Sequence, residues 1–166
     1  MHFSHSFGFG AARSAALASV ALSAVAIGAA FAQTAAPPTA APGFSVRVFA
    51  ASPAGASEPD SIAMVGDRAW IGYGDGGKPD GSGGAKSSIV EFSADGKALR
   101  TLTLAGHNDG LRLDPRSGKL WAIQNEDSDP NLVVIDPATG AMSAPYAFPA
   151  TAHGGGYDDV TFKDGA

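Results

Sequence analysis

An Asp followed by apolar residues two and four places on occurs at three points in the chain: Asp60-Ser61-Ile62-Ala63-Met64, Asp109-Gly110-Leu111-Arg112-Leu113 and Asp158-Asp159-Val160-Thr161-Phe162. The interval, about 49 residues, falls among those of repeat architectures, in which each unit is one supersecondary structure that cannot bury its apolar face alone. Within each stretch the apolar side chains alternate with others, the period of a half-buried strand. The repeat therefore predicts β units that cover one another's faces.

Strand by strand, the first unit reads as Ile62 to Met64, a turn at Gly66-Asp67, and Ala69 to Tyr73. A Gly-rich loop over 74–84 leads to Ser88 to Phe92, an Asp-Gly hairpin at 94–97 and Leu99 to Leu104. The second unit repeats the order: Gly110 to Leu113, a turn at 114–118, Lys119 to Ile123, an acidic loop over 125–131, Leu132 to Ile135, a turn at 136–140, and a weak strand between Met142 and Phe148. Trp70 and Trp121 hold equivalent places in the second strands. The third unit contributes one strand before Ala166. Residues 44–49 alternate in the same way and predict a strand with Phe44, Val46 and Val48 on one face. The 22 Gly and 11 Pro suit many short strands joined by turns. No sustained helical period occurs after residue 32.

The first 32 residues predict an export signal: an apolar, Ala-rich run over 14–32, preceded by Arg13 and ending in Ala30-Phe31-Ala32, the small-x-small pattern of a cleavage site before Gln33. A retained membrane anchor is the alternative, since the run is long enough to span a bilayer when slightly stretched. Residues 33–43 are rich in Pro and Ala and predict a linker, because proline lacks an amide donor and fixes its backbone angle. Residues 44–166 predict the folded part, and the expected location is periplasmic or secreted. Beyond the signal the charge is about −6, with no basic cluster, which argues against a nucleic-acid partner. With no cysteine, packing and strand pairing alone must hold the fold.

Four antiparallel strands per unit is the make-up of a β-propeller blade, and about two blades plus one strand is less than the four to eight of a closed ring. The expectation is thus an all-β fold made of an incomplete propeller. A small antiparallel sandwich is the competing arrangement; it explains the strands but not the recurrence.

Residues 108–121, from Asn108-Asp109-Gly110-Leu111 through Asp114-Pro115 to Gly118-Lys119-Leu120-Trp121, resemble the blade signature of six-bladed propellers of the gluconolactonase-like and NHL-repeat superfamily, and Leu132 to Gly140 is similar to a common third-strand turn. The resemblance extends over about residues 58–162 and implies the fold; blades of this kind occur in enzymes and binding proteins alike. It implies two functions: a binding or interaction module for a protein or small-molecule ligand, or a metal-dependent hydrolase of lactones or esters. For the hydrolase it implies calcium or another divalent metal held by Glu58, Asn108 and Asp109. Glu58 stands in Glu-Pro-Asp here, where the family has Glu-Gly-Pro, and the set lacks the family's further ligands.

Asp60, Asp109 and Asp158 share one repeat position, so ring geometry would gather them at a channel mouth, with Asp159 beside them. Three such carboxylates suit a hard cation. The local alternative is that each Asp accepts a hydrogen bond from the amide two residues on and stabilises a turn. His107 and His153 each precede an inner strand and are candidates for the same mouth. The loop Asn125-Glu126-Asp127-Ser128-Asp129 has oxygen donors at alternate places, but Pro130 stands where a calcium loop needs Gly. Neither a Gly-x-Ser-x-Gly elbow nor a phosphate-loop order is present. Export predicts that protein recovered from a periplasm begins at Gln33, which N-terminal sequencing checks; a chain that still begins at Met1 in a membrane fraction would favour the anchor.

Overall fold

The computed structural model describes residues 38–152 and 155–163. The export signal, the first half of the linker and His153 lie outside the described residues. Strand β1 (Pro59–Val65) pairs with β2 (Arg68–Tyr73), β2 with β3 (Lys86–Phe92) and β3 with β4 (Ala98–Ala105), all antiparallel. A second sheet follows in the same order: β5 (Asn108–Leu113), β6 (Leu120–Gln124), β7 (Asn131–Ile135) and the short β8 (Tyr146–Ala147). The expected all-β class and four-stranded antiparallel units are observed. The sheets are not closed into a ring among the described residues.

The repeat read from sequence is a repeat of register. Trp70 lies opposite Ala63 and Glu91, and Trp121 lies opposite the corresponding Arg112 and Val134. Ile62 pairs with Ile71 as Leu111 pairs with Ala122. Most informative is that both first strands slip register at the same place, between Pro59 and Ser61 and between Asn108 and Gly110. The residues left unpaired by these slips are Asp60 and Asp109. Each occupies a β-bulge, a device that bends a strand and re-aims one side chain.

The two sheets stack so that one face of the first meets the opposite face of the second. From the first come Ala63, Trp70, Ile89 and Leu104; from the second come Leu111, Leu120, Ala122, Val133 and Ile135. This is the main core, with Trp70 only 1% exposed. At its rim Arg100 stacks over the Trp70 ring at 5.0 Å, pairs with Glu91 at 2.9 Å, and donates to the carbonyl of Pro137, in the turn that follows Ile135. Strand β5 lies alongside β1. Gly72 has no side chain because the amide oxygen of Asn108 occupies the space a Cβ would fill.

Two segments expected as strands are not paired into either sheet. Residues 44–49 carry no strand pairing, and Phe44, Val46 and Val48 are exposed. Only the end of this segment packs, with Phe49 edge-on to Phe92 at 6.2 Å beside the second cluster of Ala69, Tyr73, Val90 and Phe92. Residues 157–162 are likewise unpaired, yet lie against the second sheet: Asp158 and Asp159 cover Gly110, and Phe162 stands edge-on to Trp121 at 5.1 Å. The Gly-rich loop includes one short 3-10 turn (Ser82–Gly84).

Face-to-back stacking makes repeat-equivalent residues unequal. Leu111 is fully buried, whereas its counterpart Ile62 is 53% exposed. Leu111→Ala should cost about 2–5 kcal/mol of stability, and Ile62→Ala less than about 1 kcal/mol, in urea denaturation. Equal losses would contradict this stacking.

Candidate functional site

The bulges set the position of the site. Asp60 and Asp109, each lifted out of its ladder, share a cleft of about 410 Å³ with Asp158 and Asp159; Ser61, Ile62 and Arg112 complete its wall. Asp158 reaches it because 157–162 follows β5 much as β5 follows β1. Arg112 is the cation of this wall, and it pairs with Asp159. Four carboxylates and one guanidinium leave the cleft strongly acidic.

Asp109 is the most enclosed of the four, 7% exposed. Its Oδ1 lies 3.2 Å from His107 Nε2, and its Oδ2 accepts the Glu126 amide at 3.3 Å. Burial pushes its pKa up to about 6; His107 and the Glu126 amide oppose the rise, and the charges of Asp60 and Asp158 add to it. Glu126, in the loop after β6, is raised to about 7, first by a hydrogen bond from its carboxyl to Asp158, then by burial and the charges of Asp109, Asp158 and Asp127. Burial and the nearness of Asp60, Asp109, Asp158 and Glu126 to one another thus make Asp109 and Glu126 release their protons less readily than ordinary carboxyls.

His107 sits over Gly74, where a Cβ would meet the ring at 2.5 Å. Its amide donates to Asn125 Oδ1 at 2.9 Å, and Asn125 takes a positive φ to accept it. The imidazole is therefore fixed between the loop after β2 and the start of β5, directed at Asp109. The expected local role of the repeated Asp is not what holds Asp109. Its partners are His107 and Glu126, from outside its own turn, because the bulge swings it away from the amide two residues on.

Glu58, Asn108 and Asp109, the residues the resemblance implies for a metal, each have protein partners of their own. Asn108 is fully buried between the sheets, where its Nδ2 donates to the carbonyls of Ile123 and Gly110 and its Oδ1 accepts the Ser61 hydroxyl at 3.5 Å. Both ends of that amide serve the fold. Glu58, at a positive φ, accepts the Gly76 amide at 3.0 Å. Among the described residues no three His, Asp or Glu side chains take up metal-holding geometry. The acidic loop over 125–129 contributes Glu126 to the cleft instead, while Asp127 accepts the amide of Gly155. Trp70, Tyr73 and Trp121 are packing residues, as their strand positions imply.

No protein-family model matches the chain, and no curated protein or solved structure matches it.

The raised carboxyl pKa values fix the sign of a pH effect. A carboxyl that binds its proton more tightly in the folded state adds stability below its unfolded pKa, near 4, and that contribution is lost as pH rises through the folded value. Stability from Asp109 and Glu126 should accordingly fall between about pH 4 and pH 7, and Asp109→Asn should flatten the profile over that range in thermal melts. An unchanged profile would refute the assigned proton affinity.

Proposed function

We propose that the chain is an exported binding module of the β-propeller class, and that it holds its ligand at the acidic cleft. The observation that carries this reading is the convergence of Asp60, Asp109 and Asp158, one from each repeat, on a single cleft with Asp159 and Glu126. A residue that served only its own turn would not need to meet its counterparts. The in-register units and the face-to-back stacking support the propeller class, and the apolar run over 14–32 supports export to a periplasm or beyond.

The cleft's chemistry favours a ligand that carries positive charge spread over several donors, such as a guanidinium or a polyamine. Its carboxylates stand around a volume rather than around a point, and a planar cation with several N–H groups can engage two of them at once. The hydrolase reading lacks a comparable observation, since Asn108 would have to leave the inter-sheet core to become a ligand. No step of bond breaking is assigned to these residues.

Isothermal titration of the full chain with arginine methyl ester, spermidine and calcium tests the reading. Binding of the organic cations at pH 8, weakened about tenfold or more by Asp109→Asn or Asp158→Asn and weakened again at pH 5, is the expected result. Absence of binding by either organic cation would overturn the proposed ligand class. Tight calcium binding that depends on Glu58 would restore the metal-dependent alternative.

A further inference from the structure

The second sheet meets the first through rows of side chains, and the last of these rows is polar. Leu113, Leu120 and Ile135 share one row across the ladder, and Leu111, Ala122 and Val133 share the next. The row beyond them is Asn108, Gln124 and Asn131, and it ends on Ala147 in β8. From the first sheet comes Ser87, on the same face of β3 as the core residue Ile89 two places on. All four polar residues are buried, yet Ser87 Oγ, Gln124 Nε2 and Asn131 Oδ1 have no hydrogen-bond partner among the described residues. Buried polar atoms without partners destabilise a fold, and an apolar row like its two neighbours would carry no such burden.

The outer end of this row meets a hollow of about 350 Å³ between the loop over 81–85, the end of β4 and the start of β7. Asn131 and Asn125 both line it. Asn125 is 7% exposed, and its amide is clamped where a Cβ on Gly81 or on Gly106 would stand. Its Oδ1 accepts the His107 amide, and its Nδ2 makes no hydrogen bond among the described residues. The hollow thus presents one amide donor from Asn125 and one amide acceptor from Asn131, each held in place by burial. Ala85, Ala105 and Pro145 give it small apolar walls. Asp129 stands exposed at its rim, and no Lys, Arg or His lines it, so an anionic ligand would find no countercharge there.

We propose that this hollow is a second binding site, and that it takes the acetamido group of a neutral ligand. The carbonyl of that group accepts from Asn125 Nδ2, its N–H donates to Asn131 Oδ1, and its methyl lies against Ala85 and Ala105. Asp129 accepts from a hydroxyl or amide of the ligand beyond it. An acetamido group brings an acceptor, a donor and a small apolar end together, whereas a hydroxyl lacks the apolar end and a carboxylate lacks the donor. The site shares no lining residue with the acidic cleft, and the inference stands apart from the ligand assigned there.

NMR titration of the full chain with N-acetylglucosamine, N-acetylglycine amide and glucose provides the test, and the two acetylated probes distinguish a sugar from an amino-acid source of the group. The expected result is that at least one acetylated probe shifts the side-chain amide signals of Asn125 and Asn131, with glucose about tenfold weaker or more. Asn131→Ala, which removes the acceptor, should weaken that binding about tenfold. Ala105→Leu, at the exposed end of β4, fills the hollow and should abolish it, with circular dichroism verifying that both variants fold. Signals unmoved by either acetylated probe overturn the proposal. So does glucose binding as tightly as N-acetylglucosamine, which would mean that the acetamido group is not recognised, or binding that survives Ala105→Leu, which would place the ligand elsewhere.

Discussion

The contact between the front of one sheet and the back of the other is what the rest of the structure depends on. A four-stranded antiparallel sheet of this size has two faces, and neither can be left wholly to water without losing the apolar burial that offsets chain entropy. Here Trp70, Ile89 and Leu104 answer Leu111, Leu120 and Ile135, and no disulfide shares the task. The flat Trp70 ring requires a partner without bulk opposite it, which Ala63 supplies across the ladder. In the second sheet the same ladder position is Arg112, whose side chain instead reaches Asp159 and helps to hold the segment that covers that face.

That stacking also produces the cleft. Strands laid alongside one another in register bring equivalent residues together at one end, so a carboxylate repeated once per unit becomes a carboxylate cluster without any contact between the units' turns. The bulge completes the arrangement. In an unbroken ladder the Asp would occupy a paired position fixed by the pleat; left unpaired, it can turn toward its counterparts. The electrostatic cost is visible in the raised proton affinities of Asp109 and Glu126, and His107 offsets part of it at Asp109.

Strand existence was legible because alternation is a direct image of burial. Ala69 to Tyr73 and Leu132 to Ile135 fall within β2 and β7, bounded by the Gly and Asp turns that a sequence shows plainly. The clustering of the repeated Asp was legible too, as a consequence of equal spacing. Residues 44–49 and 157–162 show where alternation stops being sufficient. It describes what a strand could bury, whereas pairing requires a neighbour with free backbone groups, and neither segment has one among the described residues. Glu126 was missed for another reason. Its loop, taken by composition alone, resembles a calcium loop with Pro130 in place of Gly, whereas its position comes from topology: the loop after β6 must pass the start of β5, because β5 and β6 are antiparallel neighbours.

The separate fates of Asn108 and Asp109 follow from the same geometry. A polar pair adjacent in sequence reads as one functional unit, yet neighbouring residues of a strand point to opposite sides of the pleat. Asn108 keeps its paired place opposite Gln124, and its amide turns inward. There it donates to the carbonyls of Ile123 and Gly110 and accepts the Ser61 hydroxyl, so the buried amide is itself satisfied; a buried polar group left without a partner costs about 1–3 kcal/mol. Asp109, one residue later and in the bulge, turns to the cleft. A ligand set that needed both would have to sacrifice the inter-sheet contact at Ser61 and Gly72. Asn108 therefore belongs to the stacking that places the site and Asp109 to the site itself, a division set by the fold before any ligand is considered.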